Sequence, residues 1–207
     1  MSAASDTMAV ILAGGQARRM GGGDKCLINI DGSTILAHQI KRLKSSVDTI
    51  LLNANGDVDR FKMFGLPVAA DVIEGFGGPL VGIVTGLLWA RENRPDMSFV
   101  VSIAGDTPFF PKDLTRQLIK AGQRDPQTIV LASSNGRVHP VFGLWPVALA
   151  DDLKEWLLSG SNPKVLAFVD RYTRIEVPFE VDAYDPFFNI NTPEDVSEAE
   201  RLAGAHV

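Results

Sequence analysis

The chain has 207 residues, 45% hydrophobic and 22% charged, a composition able to bury a real core and long enough for one domain. Twenty Lys and Arg against 25 Asp and Glu give a net charge of −5, which argues against a nonspecific nucleic-acid or membrane-surface binder. A single cysteine excludes an intramolecular disulfide, three histidines are too few for an ordinary structural zinc site, and no apolar run approaches the roughly 18 residues of a membrane span.

The opening MSAASDT has neither the positive charge nor the apolar stretch of a secretory signal. Residues 1–7 read as a flexible lead-in, and the expected setting is the cytoplasm. Met8–Leu12 then reads as a buried strand, as do Thr49–Asn53, Ser98–Ile103 and Ile129–Ser133 further on. Between them, apolar residues at three- and four-residue spacing predict helices. These are Ile35, Leu36, Ile40 and Leu43; then Leu80, Ile83, Val84, Leu87 and Leu88; then Leu114, Leu118 and Ile119. Ser33 is expected to cap the first, and Pro111 to open the third. Past Val138 the pattern loosens into HPVFGLWP, a helix near Val147–Leu158 and a proline-marked tail. Thr192-Pro193-Glu194-Asp195 near the end reads as a helix start. Near-continuous apolar strands alternating with amphipathic helices predict one α/β domain. Its sheet would be Rossmann-like, doubly wound and mostly parallel, with helices on both faces.

The loop after the first strand, Leu12–Lys25 (LAGGQARRMGGGDK), holds five glycines, Gly14, Gly15, Gly21, Gly22 and Gly23, with Arg18, Arg19 and Lys25. Glycine permits close backbone approach, so successive N–H groups can converge on an anion. The end of a parallel strand is also where open α/β sheets bind ligands. The loop is not a P-loop, because Asp24 precedes Lys25 and Cys26 follows it. Nor is it the dinucleotide fingerprint, which Gly14-Gly15-Gln16 breaks. Arg18 reads equally as a solvated cation. Cys26 reads either as a low-pKa thiol beside Lys25 or as a small buried residue.

This loop resembles the signature of nucleotidyltransferases that make nucleoside-diphosphate sugars and related cofactors. Among them it is most similar to the molybdenum cofactor guanylyltransferase family. Further strings agree in the same order: LLNAN with Asn53, Asp71 followed by GFGGPLVG, GDTPFFP at Gly105–Pro111, HPVFGLW at His139–Trp145, and FFNINTPED at Phe187–Asp195. The resemblance covers about Met8 to Leu202. It implies transfer of GMP from GTP to the terminal phosphate of molybdopterin, with Mg²⁺, releasing pyrophosphate. Cofactor-insertion or molybdoenzyme chaperone proteins become candidate partners.

Carried over residue by residue, the resemblance puts Leu12, Ala13, Gly14, Gly15, Lys25, Asn53, Asp71, Gly78 and Asp106 at the nucleotide. Arg19, Lys25 and Asp106 take the chemistry, and Asp106 takes the metal. A hard cation bridging phosphates needs only one or two carboxylates, although Asp106 could also simply cap a turn. Asp71 can accept from N1–H and N2–H₂ of guanine, while Asn53 and Asp71 also suit capping. His139, Lys164, Asn189 and Asn191 are the acceptor-side candidates. His139 reads equally as a packed residue, and the two asparagines as loop-fixing residues. Relatives often carry two adjacent basic residues where this chain has only Lys164, with Arg171 and Arg174 as substitutes or plain surface arginines. About 8–135 would hold the nucleotide, and about 136–207 the acceptor. The competing readings are a cytidylyl- or sugar-phosphate nucleotidyltransferase of the same fold, and a noncatalytic nucleotide-binding module.

Overall fold

The structure is a computed structural model and describes residues 6–14, 23–122 and 125–204. Thr7–Leu12 forms strand β1, almost wholly buried. Asn29–Ile30 (β2) and Ser33–Thr34 (β3) make a small hairpin. Its turn residues Asp31 and Gly32 both have positive φ, 49° and 76°, the two-residue turn that Asp-Gly favours. Helix α1, Ile35–Leu43, follows at once. Thr34 rather than Ser33 caps it, accepting from the Ala37 N–H at 3.1 Å, because the helix starts at Ile35 and Thr34 is the residue just before it.

Then come Ile50–Asn53 (β4), Val68–Ala69 (β5), Pro79–Asn93 (α2), Phe99–Ala104 (β6) and Leu114–Gly122 (α3). Pro111 does not open α3; its carbonyl closes the turn that precedes the helix, accepting from Leu114 N–H at 3.0 Å. Ile129–Ser134 (β7), Arg137–Pro146 (β8), Ala150–Leu158 (α4), Val165–Val169 (α5), Arg174–Pro178 (β9) and Pro193–Gly204 (α6) complete the order. At the start of α6 the Asp195 carboxylate accepts from the Asn191 and Thr192 N–H groups, while Thr192 Oγ1 accepts from Asp195 N–H.

Seven strands form one sheet in the order β5-β4-β1-β6-β8-β7-β9. Every neighbouring pair is parallel except the two that involve β8, so β8 alone runs against the rest. Successive β1 residues face opposite layers, as the pleat requires. Val10 lies in the buried cluster that includes residues of α2, α4 and α5, and Ile11 in the one that includes residues of α1 and α3, so both faces are covered. A third cluster, Ile30, Ile35, Phe109, Ile190, Ala199 and Leu202, seats α6 beside the hairpin.

The segment that reads as loosened, HPVFGLWP, is the middle and end of β8, a ten-residue strand. Its pairing with β7 jumps from Leu131–Gly143 to Ala132–His139, leaving Pro140, Val141 and Phe142 unpaired on that side. Pro140 has no N–H to give, so the irregularity falls where a regular ladder would fail. Trp145, fully buried, donates from Nε1 to Ser102 Oγ at 2.8 Å, and that hydroxyl donates to the freed Val141 carbonyl at 2.6 Å.

Candidate active site

Parallel strands end at a common edge, and there β1, β4 and β6 deliver Leu12-Ala13-Gly14, Asn53 and Gly105-Asp106 side by side. Two backbone bonds lock these ends together, from Ala13 N–H to Asn53 O at 2.8 Å and from Gly105 N–H to Leu12 O at 3.1 Å. Gly105 has no room for a side chain, since a Cβ would lie 2.5 Å from Leu12 O. The shared edge opens on a cavity of about 450 Å³. Its lining includes Leu12, Ala13, Gly14, Lys25, Asn53, Asp71, Gly78, Asp106 and Asn189. These nine nucleotide- and acceptor-side candidates thus meet in one concavity, which Cys26 lines as well. Gly15, Arg18, Arg19, Gly21 and Gly22 lie outside the described residues.

Lys25 Nζ donates to Asn191 Oδ1 at 2.6 Å and stands 3.6 Å from Asp106 Oδ2, with both side chains mostly buried. Burial raises the Asp106 carboxyl above its ordinary range, and the Lys25 charge opposes that rise. The turn around Asp106 is tied to the segment before α6. Thr107 Oγ1 donates to Asn189 Oδ1 at 2.6 Å, and Ile190 N–H donates to Asp106 O at 2.9 Å.

On the β4 side, Asn53 is buried and donates to Ala69 O at 3.2 Å and to Asp71 Oδ1 at 2.9 Å. Asn55 holds the other half of the carboxylate, donating to Asp71 Oδ2 at 2.7 Å and accepting from Asp71 N–H at 2.8 Å. A Cβ on Gly82 would come within 2.3 Å of Asn53 Oδ1, so α2 can lie against Asn53 only with glycine there. Helix α2 starts at the cavity, led by Gly78 at φ 103°, a conformation that other residues rarely adopt. Its first amides and dipole suit an anion.

Sequence reading missed three supports. Asn55 is one, although it sits in the same LLNAN string as Asn53. Arg60 is another; it pairs with Asp24 at 2.5 Å, next to Lys25, and donates to Asn55 O at 2.7 Å. The third is polar residues of α1 that grip the Asp106 turn, which on sequence look like the solvated side of an amphipathic helix.

Other expected residues do not take the roles read for them. Cys26 lines the cavity, but it is buried, and burial together with the Asp24 charge pushes its thiol up to about 12, which removes the low-pKa reading. His139 is outside the cavity lining, stacked on Phe187 with ring centroids 4.2 Å apart and bonded to Ser134 Oγ at 2.6 Å. Lys164 is the residue preceding α5 and also lies outside the lining. Arg171 pairs with Asp152 at 2.8 Å, and Arg174 with Asp170 at 3.0 Å and Glu176 at 3.2 Å.

Among the described residues no cluster of three His, Cys, Asp or Glu could cage a metal. One carboxylate with amide oxygens nearby instead fits a cation held mainly by phosphates and water. No helix among the described residues is long and apolar enough to cross a membrane.

Known proteins resemble this chain in sequence and in fold. A guanylyltransferase for molybdenum cofactor from Rhodopseudomonas palustris strain BisB5 is 51% identical over 197 residues, covering 95% of this chain and 94% of its own length. Its counterpart from Mesorhizobium japonicum is 46% identical, covering 95% and 96%. The structure of molybdopterin-guanine dinucleotide biosynthesis protein A from Archaeoglobus fulgidus superposes with a TM-score of 0.74 at 22% identity, over 96% of this chain and 99% of that one. A synthetase of CMP:2-keto-3-deoxy-manno-octonic acid, solved with CTP, gives the same TM-score of 0.74 at 12% identity, over 98% and 100%. A family model described as a MobA-like NTP transferase domain matches residues 9–175, from β1 into β9 and so across every strand of the sheet. The chain belongs to the MobA-like NTP transferase family.

Proposed function

We propose that this nucleotidyltransferase moves GMP from GTP to the terminal phosphate of molybdopterin in the cytoplasm, making molybdopterin guanine dinucleotide and pyrophosphate. One observation carries the reading. A single cavity joins groups suited to a triphosphate, namely Lys25, the Leu12–Gly14 backbone and the start of α2, with a carboxylate suited to a guanine edge, Asp71. Each Asp71 oxygen keeps a lone pair beyond the bond it accepts from Asn53 or Asn55, so it can still accept from guanine.

The acceptor is already a phosphate anion, so no base has to deprotonate a hydroxyl. Charge control and in-line positioning therefore supply the catalysis. Lys25 faces the triphosphate and balances Asp106 before and during the loss of pyrophosphate. Nucleotidyltransferases generally use a divalent metal. In this reading it is Mg²⁺, which Asp106 would hold and which would supply charge screening to the triphosphate and the departing pyrophosphate. Arg19, from the glycine-rich loop, belongs with Lys25 in this proposal.

Asn189 and Asn191 serve the acceptor side beside Asp106, and His139 and Lys164 are the candidates for the pterin end. The chain acts as one domain, with about 8–135 for the nucleotide and about 136–207 for the acceptor. Handing the product to insertion or chaperone proteins belongs to the same proposal.

The test is pyrophosphate release and dinucleotide formation from purified chain, molybdopterin, Mg²⁺ and each of GTP, CTP, ATP and UTP. GTP alone should support rapid turnover. Faster turnover with CTP would replace the guanylyl reading by a cytidylyl one.

A further inference from the structure

We propose that Gln39 and Arg42 of α1 are positioning residues that set the Asp106 turn and so govern how the site engages metal and triphosphate. The inference rests on the metal role given to Asp106 above and extends it to residues outside the cavity. Gln39 is fully buried. Its Nε2 donates to Ala104 O at 2.7 Å and to Thr107 O at 3.0 Å, the carbonyls that bracket Gly105-Asp106. Both partners are carbonyls, which fixes the amide nitrogen toward them. The price is paid at the other end, where Oε1 is buried with no partner among the described residues.

An apolar side chain of the same size would avoid that orphaned acceptor, so packing alone does not favour glutamine here. What glutamine adds is a pair of donors aimed at this turn. One helical turn later, on the same face, Arg42 donates from Nε to Pro108 O at 3.1 Å and from Nη1 to Phe110 O at 3.0 Å. Four donors from α1 thus hold carbonyls of Ala104, Thr107, Pro108 and Phe110, while Asn189 and Ile190 hold the turn from its other side. A carboxylate on a backbone gripped this way presents one direction to a cation. Groups that orient a metal ligand commonly matter nearly as much as the ligand.

The test compares Gln39→Met with the wild type and with Ile40→Val, a core change on the same helix. Three quantities are measured: hydrogen exchange at residues 104–110 without ligand, GTP binding in EDTA, and the Mg²⁺ needed for half-maximal guanylyl transfer. Gln39→Met should speed exchange at 104–110 selectively and raise the Mg²⁺ requirement about tenfold, leaving metal-free GTP binding within about twofold. Ile40→Val should do none of this. If Gln39→Met does not fold, Arg42→Lys carries the same comparison, since lysine cannot reproduce the two-armed contact. Unchanged exchange and Mg²⁺ requirement in a folded variant, or equal changes in Ile40→Val, would overturn the proposal. Should the wild type itself neither bind GTP nor transfer guanylyl, the functional reading fails. The exchange comparison still judges the clamp, faster exchange at 104–110 supporting it and unchanged exchange sinking it.

Discussion

Lys25 Nζ lies 3.6 Å from Asp106 Oδ2 and binds Asn191 Oδ1 at 2.6 Å, so one ammonium joins the end of the glycine-rich loop, the β6 turn and the approach to α6. Burial already lifts the Asp106 carboxyl, and among the described residues the Lys25 charge restrains it. Lys25→Met removes that restraint, so Asp106 should hold its proton to still higher pH, readable by NMR titration of the ligand-free protein. Loss of one preorganised charge at the triphosphate should also lower kcat/KM about 100-fold, with KM for GTP rising as well. Unaltered Asp106 titration and kinetics in the folded variant would make Lys25 a bystander.

Asp106→Asn separates binding from chemistry. It keeps the size and one oxygen but removes the charge, and Lys25 with the loop amides remains for the nucleotide. GTP should therefore still bind detectably by calorimetry, while guanylyl transfer falls about 1,000-fold, with partial recovery at raised Mg²⁺. Near-normal turnover at low Mg²⁺ would end the metal assignment.

In the proposed function Asp71 reads the base. Asp71→Asn puts an NH₂ where guanine would offer donors, and also against Asn53 or Asn55, which donate to that carboxylate now. An unpaired buried donor costs roughly 1–3 kcal/mol, so the preference for GTP over ATP and CTP should shrink about 10- to 100-fold. Triphosphate affinity through Lys25 should persist. A binding panel in which GTP keeps its full advantage would move base recognition elsewhere.

Legibility followed burial and chain locality. β1, β4, β6 and β7 are covered on both faces, so their apolar runs are nearly continuous, and each reads from sequence to within one residue at either end. Asn53 ends β4 and Asp106 follows β6, so the sheet alone brings them to one edge, and Lys25 at the end of the glycine-rich loop joins them there. β8 hid because Pro140 and Gly143 interrupt its pattern; Gly143 is required where a Cβ would meet Leu131 Cδ2 at 2.7 Å. β9 hid because it is an exposed edge strand whose Arg174 and Glu176 pair with each other. The grip of Gln39 on the Ala104 and Thr107 carbonyls spans residues far apart in the chain, and helical periodicity carries no trace of it.

Cys26 tests the site's chemistry by exclusion. Its thiol is buried and pushed up to about 12, so the thiolate that attacks disulfide reagents is scarce at pH 8. Native protein should not react with a chromogenic disulfide reagent at that pH, whereas guanidinium-unfolded protein should release one equivalent per chain. Rapid native labelling would restore the reactive-thiol reading.

His139 carries the last prediction. Desolvation is the main reason that its pKa is lowered, Arg137 adds to this, and Asp185 works against it. Because the folded value lies below the unfolded one near 6.5, the unfolded chain takes up the proton first as pH falls. The contribution of His139 to stability is therefore complete above that unfolded value and is lost as pH drops from there through the folded one. His139→Phe keeps a ring to stack on Phe187, and Ser134 Oγ can keep its 3.1 Å bond to Asp185 Oδ1, but the titration disappears. The stability gap between wild type and variant, from urea melts, should thus move against the wild type between pH 7 and pH 5. A constant gap would mean that His139 titrates as an exposed histidine. The same variant separates packing from recognition: a raised KM for molybdopterin with unchanged GTP binding places His139 at the pterin, whereas unchanged kinetics leave it as a packed ring behind the β8 irregularity.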